Sequence, residues 1–155
     1  MTSEFRSRAV LSLTELHERE LRAFVPMWKK FIASGVPMPE AHDDAAYENP
    51  DRLMAHVQGA ARGYLTWIWE MLEHPIEGLP LTRDAAVIMP RLDAFMQETL
   101  AAWRHRLAPL EDEELSPKQY LSRWGEPHTI EQMLEHAVVH PMRHRIQLER
   151  LMAGE

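Results

Sequence analysis

Three histidines recur every four residues in the stretch TIEQMLEHAVVHPMRHRIQLERLM: His136, His140 and His144. On a helix of about 100° per residue, that spacing stacks side chains one above another. If Ala137 marks the middle of the apolar stripe, His144 falls roughly 20° from it, His140 about 60° and His136 about 100°. His140 and His144 therefore both project inward, and His136 sits nearer the flank. An i, i+4 pair of imidazoles is a spacing that one metal ion bridges. The competing reading is a half-buried polar edge whose imidazoles are simply hydrogen-bonded.

A metal needs more than two ligands. The chain has no cysteine, which removes thiolate zinc sites, disulfides and a cysteine nucleophile, and leaves His, Asp and Glu as donors. The best third donor is His56, in RLMAHVQGAARGYLTWI. It stands about 60° from Leu53 on the shoulder of an apolar face. Gly59 and Gly63 follow on that shoulder and leave room beside it. Three histidines make a shell with one or more open positions, as in catalytic zinc-type sites.

These side chains must be held by helices, and four helical stretches are readable. The first spans about Thr2 to Ala33, with Val10, Leu13, Leu21, Phe24, Trp28 and Phe31 on its stripe and Pro26 as an expected kink. The second opens with Asn49 as N-cap and Pro50 at the first helical position, and ends near His74. Its apolar face is Leu53, Val57, Ala60, Tyr64, Trp67, Ile68 and Met71. The third lies between Thr82 and Leu107, beginning either at Thr82 or near Pro90. The fourth starts at Thr129, whose spacing to Gln132 fits a capping box. No stretch predicts a strand of useful length. The expectation is an all-α, four-helix bundle in a single domain, residues 1–155.

Depth along the bundle constrains the topology. His56 lies about 10 Å into its helix and His144 about 12 Å from the end of its own. The levels match if helices two and four run antiparallel. A simple up-down-up-down path makes them parallel, so a crossover is expected, with residues 75–89 free to run back along the bundle.

Composition narrows the function. The chain has 155 residues, 45% hydrophobic and 26% charged, which suits one globular core. A net charge of −7 speaks against phosphate-driven nucleic-acid binding. No window approaches the roughly 18 apolar residues of a membrane span, and the first ten residues lack a secretory apolar run, so a cytoplasmic location is the default expectation. His17 reads as a satisfied core histidine. His42, His74, His105 and His128 read as surface residues, and EDEE at 111–114 as a solvated acidic turn. Trp124 sits in a long connection, in reach of the site. Arg143 and Arg145 face either an anionic substrate or, by default, surface partners.

The placement of His56 early in helix two, with the segment MLEHAVVHPMRHRIQL, resembles the DinB/YfiT-like superfamily of four-helix-bundle metalloproteins. Its helix-four pattern is H-x-x-x-H-x-x-x-H followed by Arg and Gln. By this resemblance His56, His140 and His144 are the metal ligands, His136 is the additional upstream histidine, and Gln147 is the pattern's Gln. Arg143 and Ile146 depart from the pattern, as does Pro141 directly after a ligand. The resemblance implies a divalent metal, zinc or nickel, and a metal-dependent transferase or hydrolase acting on a small molecule, with a low-molecular-weight thiol as cosubstrate. It also implies a homodimer. Such a metal would lower the pKa of a water or thiol and polarise a substrate. The alternatives are a non-catalytic metal-binding stress protein and a helical dimerisation module with structural histidines.

Overall fold

The computed structural model describes residues 4–74 and 77–155. Helix boundaries follow local capping. Ser7 accepts from the Val10 amide, so α1 (Arg8–Ser34) begins there rather than at Thr2, and it closes on Gly35 in the left-handed region. Residues 2–3 of the expected helix lie outside the described residues. The helix continues through Pro26, with Phe24 and Trp28 buried on either side.

Asn49 accepts from the Arg52 amide at 2.9 Å, and Pro50 occupies the first turn of α2 (Pro50–Met71). The end of α2 is a Schellman motif. Glu73 adopts φ 60°, its amide donates to Glu70 O, and the His74 amide donates to Trp69 O. This stops the helix at Met71, three residues before His74.

The third predicted helix is broken. A single turn, α3 (Ala85–Ile88), follows an Asp84 cap; a 3-10 turn over Met89–Arg91 contains Pro90; then α4 (Leu92–Leu107) runs on. The acidic connection forms one turn, α5 (Asp112–Leu115), closed by a capping box between Glu111 and Glu114. After it comes a small hairpin of β1 (Tyr120–Leu121) and β2 (Pro127–His128), too short to read from alternation. Finally α6 (Ile130–Ala153) opens on the expected Thr129–Gln132 capping box and passes through Pro141.

The chain is all-α apart from that hairpin, and its four long helices pack on one another. Their directions follow from who meets whom. Along α2 the partners on α6 fall as the numbers rise: His56 meets His144 and His140, and Tyr64 meets His140 and His136. So α2 and α6 run antiparallel. Along α4 the partners rise: Ala55 packs with Phe95, Arg62 reaches Thr99, and Leu65 to Trp69 share a cluster with Trp103 and Leu107. So α2 and α4 run parallel.

Two successive parallel helices need a return path. Residues 77–84 supply the described part of it, while residues 75–76 of the expected crossover lie outside the described residues. Arg62, fully buried, donates to Pro80 O at 3.1 Å, and Thr82 and Arg83 cross α2 where Gly59 has no side chain to block them. Gly59 therefore makes room for the crossover rather than for the histidines.

The apolar stripes read for the first two helices line the core, and apolar residues of α4 and α6 complete it. Val10, Leu21, Phe24, Phe31, Leu53, Val57, Ile68, Phe95, Trp103, Leu107, Leu134 and Leu148 are all buried, with Leu13, Tyr64, Met71, Leu92 and Leu151 at its edge. Among the described residues no helix is long and apolar enough to cross a membrane.

Candidate metal centre

His56 comes from the second turn of α2, and His140 and His144 from successive turns of α6. Because the two helices are antiparallel, both levels coincide. Each histidine offers one ring nitrogen to a group in which all three lie within 4.8 Å of one another. The Nε2 atoms of His56 and His140 are 3.0 Å apart. Three histidines in this arrangement lie close enough to bind a metal ion. At about 2.0–2.1 Å per bond, tetrahedral donors stand about 3.4 Å apart, so small ring rotations bring the third into range.

The supporting contacts fix the rings. His144 Nδ1 donates to Gln147 Oε1 at 3.3 Å, and the same oxygen accepts from the Tyr47 hydroxyl at 3.3 Å. A proton on Nδ1 leaves Nε2 with a free lone pair, and this Nε2 is buried without a hydrogen-bond partner among the described residues. An orphaned acceptor of this kind fits a metal. Partners of this kind commonly orient histidine ligands.

Burial sets the protonation. It pulls His56 down to about 4 and His140 to about 2, with the neighbouring imidazoles adding to the shift, and it lowers His144 as well. All three are neutral near pH 7, the form that binds metal. Arg143 pushes in the same direction on all three, while Asp44 opposes it at His56 and His144. Two cavities lie around the cluster, and only the first takes in one of its histidines, His56. A cavity of about 950 Å³ is lined by His56, Asp44 and Arg83, and one of about 750 Å³ by Tyr47, Arg143 and Gln147.

Other expected residues fall elsewhere. His136 is outside the cluster; its ring stacks on Trp124 with centroids 4.9 Å apart and touches Tyr64. His128 is half-buried beside Trp124 and His136 rather than at the surface, because β2 delivers it there. His17 is buried and stacked on Trp103 at 3.7 Å, but neither ring nitrogen has a hydrogen-bond partner, so it is not the satisfied core residue expected. Arg145 makes the expected surface pair with Glu149 and a second pair with Glu20, which is buried. Arg143 makes no ion pair among the described residues.

Sequence reasoning missed Asp44, Tyr47 and Arg83. They lie in connections, where no periodicity marks a residue as facing the site. Tyr64, read as core, also borders the cluster against His140. Comparison of the chain with protein-family models, curated proteins and solved structures finds no match.

Proposed function

We propose that this chain is a divalent-metal-binding protein of the DinB/YfiT-like kind, a four-helix bundle working as a metal-dependent thiol transferase or hydrolase. The observation that carries the reading is the convergence of His56, His140 and His144 from two antiparallel helices. The descending contacts between α2 and α6, and the return path between α2 and α4, are what such a bundle needs to bring those histidines to one level.

His56, His140 and His144 would hold the ion, zinc or nickel by donor type, and Gln147 would keep His144 in the right tautomer. The bound ion supplies Lewis-acid activation of a thiol or water at its open position. The chain itself has no cysteine, so the thiol arrives as a small cosubstrate. On this reading it is a cytoplasmic homodimer.

A second reading has one observation in its favour. Nε2 atoms 3.0 Å apart are also what a metal-free hydrogen-bonded histidine pair makes. That supports a non-catalytic module with structural histidines.

The test is a transfer assay. Zinc-loaded chain is mixed with a low-molecular-weight thiol and 1-chloro-2,4-dinitrobenzene, in which the thiolate sulfur displaces chloride. The expected result is a rate above background that a chelator and His144→Ala both remove. Background rates across a panel of biological thiols and of ester substrates would favour the non-catalytic reading.

A further inference from the structure

Seven residues beyond His56, Gly63 returns to the same face of α2, roughly 20° off and about 10 Å further along. Two guanidinium groups converge on the space its missing side chain leaves. Nη2 of Arg83 and Nη1 of Arg123 each lie 3.9 Å from the point where a Cβ would stand. They come from unrelated segments, the crossover before α3 and the turn of the hairpin. Like charges gathered at one point repel unless an anion lies between them. Glu70 pairs with Arg123 at 3.3 Å, both side chains about half exposed, and no carboxylate pairs with Arg83 among the described residues.

An aromatic strip connects this point to the histidine cluster. Tyr64 stands against His140 and His136, and His136 is stacked under Trp124, which the hairpin turn holds 48% exposed. Arg143, which likewise makes no ion pair among the described residues, lies on α6 between His140 and His144. Imidazoles thus stand at one end of this strip, flat rings along it, and at the other end two guanidinium groups, of which Arg123 is paired with Glu70 and Arg83 with no carboxylate among the described residues.

We propose that this strip selects a small organic oxyanion, a carboxylate or phosphate ester on a flat apolar body, whose charged group is held by Arg83 and Arg123 over Gly63 while its other end reaches the histidine cluster. Guanidinium forks match the planar oxygens of such groups and hold them in two parallel hydrogen bonds. The stacked rings accept the apolar body. This rests on the cluster being the reacting centre; the oxyanion contact itself does not require the ion.

The experiment compares 2-naphthoate with its neutral counterpart 2-naphthamide by calorimetric titration of the full chain, metal-free and zinc-loaded, with Trp124 emission followed in parallel. The expected result is that naphthoate binds about tenfold tighter than the amide in both forms. The double substitution Arg83→Gln, Arg123→Gln should remove that preference in both forms. Arg83→Lys should keep part of it. Both arginines are exposed, so circular dichroism should show the variants folded. Equal affinity for the two probes, or a preference that survives the double substitution, overturns the proposal. A preference that appears only with zinc and ignores the arginines also overturns it, since the carboxylate then sits on the ion. A preference that depends on the arginines in a chain taking up no zinc keeps the oxyanion site and removes the metal reading instead.

Discussion

His56 and His140 face each other across α2 and α6 with their Nε2 atoms 3.0 Å apart, although 84 residues separate them in the chain. Neither helix alone can form that contact. It exists because the chain crosses over between α2 and α4, leaving α6 to run antiparallel to α2. The crossover is therefore as much a part of the site as the histidines.

The two helix-two glycines should respond in opposite ways. A Cβ on Gly59 collides with the backbone of Thr82 and the side chain of Arg83, whereas one on Gly63 meets nothing closer than 3.9 Å. Gly59→Ala should destabilise by about 1–3 kcal/mol, because the crossover must shift. Gly63→Ala should stabilise by up to about 1 kcal/mol, because alanine is the better helix former. Denaturant melts of the two variants check the contrast.

Arg62 should be far more costly to remove than an ordinary arginine. Its buried guanidinium donates to Thr99 Oγ1, Pro80 O, Phe95 O and Glu98, and lies over the Phe95 ring. Arg62→Ala takes the guanidinium from Pro80 O and Thr99 Oγ1 and opens a cavity, although Glu98 keeps Arg91 and Phe95 O keeps the Thr99 hydroxyl. The expected loss is about 3–5 kcal/mol, read by urea unfolding.

Glu73 is a site where stability can be gained. It holds φ 60° in the Schellman motif that ends α2, a conformation that costs a non-glycine residue about 1 kcal/mol. Glu73→Gly should raise stability by up to about that amount, and thermal melts should show a higher midpoint. A lower midpoint would mean that the Glu73 side chain does more than endure the turn.

Acid should weaken the metal-free chain through its buried imidazoles. Burial pulls His17 down to about 3, His56 to about 4 and His140 to about 2, against about 6.5 when unfolded. Above pH 6.5 both states are neutral and stability is flat. Below it the unfolded chain binds protons that the folded chain refuses, so stability falls until the pH reaches the lowered values. Melting temperatures at pH 7.5, 6.5 and 5.5 should decline over the last step. His17→Leu should shrink that decline, and an unchanged decline would show that His17 does not contribute.

Which of these features sequence could reveal depends on how local their causes are. Asn49 with Pro50 and Thr129 with Gln132 fix the starts of α2 and α6 within a few residues of chain, and both were legible. The i, i+4 spacing of His140 and His144 is equally local; the shoulder of helix two's apolar face pointed to His56, and helix depth then to antiparallel packing. The path of the crossover was not legible in detail, because it is set by Arg62 reaching Pro80 and by Gly59 yielding space to Thr82. The hairpin that brings Trp124 and His128 to His136 has strands of two residues, too short for alternation to register. Tyr47 and Arg83 reach the site from connections, where burial follows tertiary packing and leaves no periodic trace.

The central claim is that His56, His140 and His144 together hold one divalent ion. The most direct measurement is elemental analysis of the untagged full chain after equilibration with zinc or nickel and removal of free metal. The expected result is about one ion per chain, lost in His140→Ala and in His144→Ala and retained in His136→Ala, with Gln147→Leu weakening affinity by about 10–100-fold. Uptake no greater than that of a variant lacking all three histidines would contradict the claim and leave the imidazoles as structural residues of the helices.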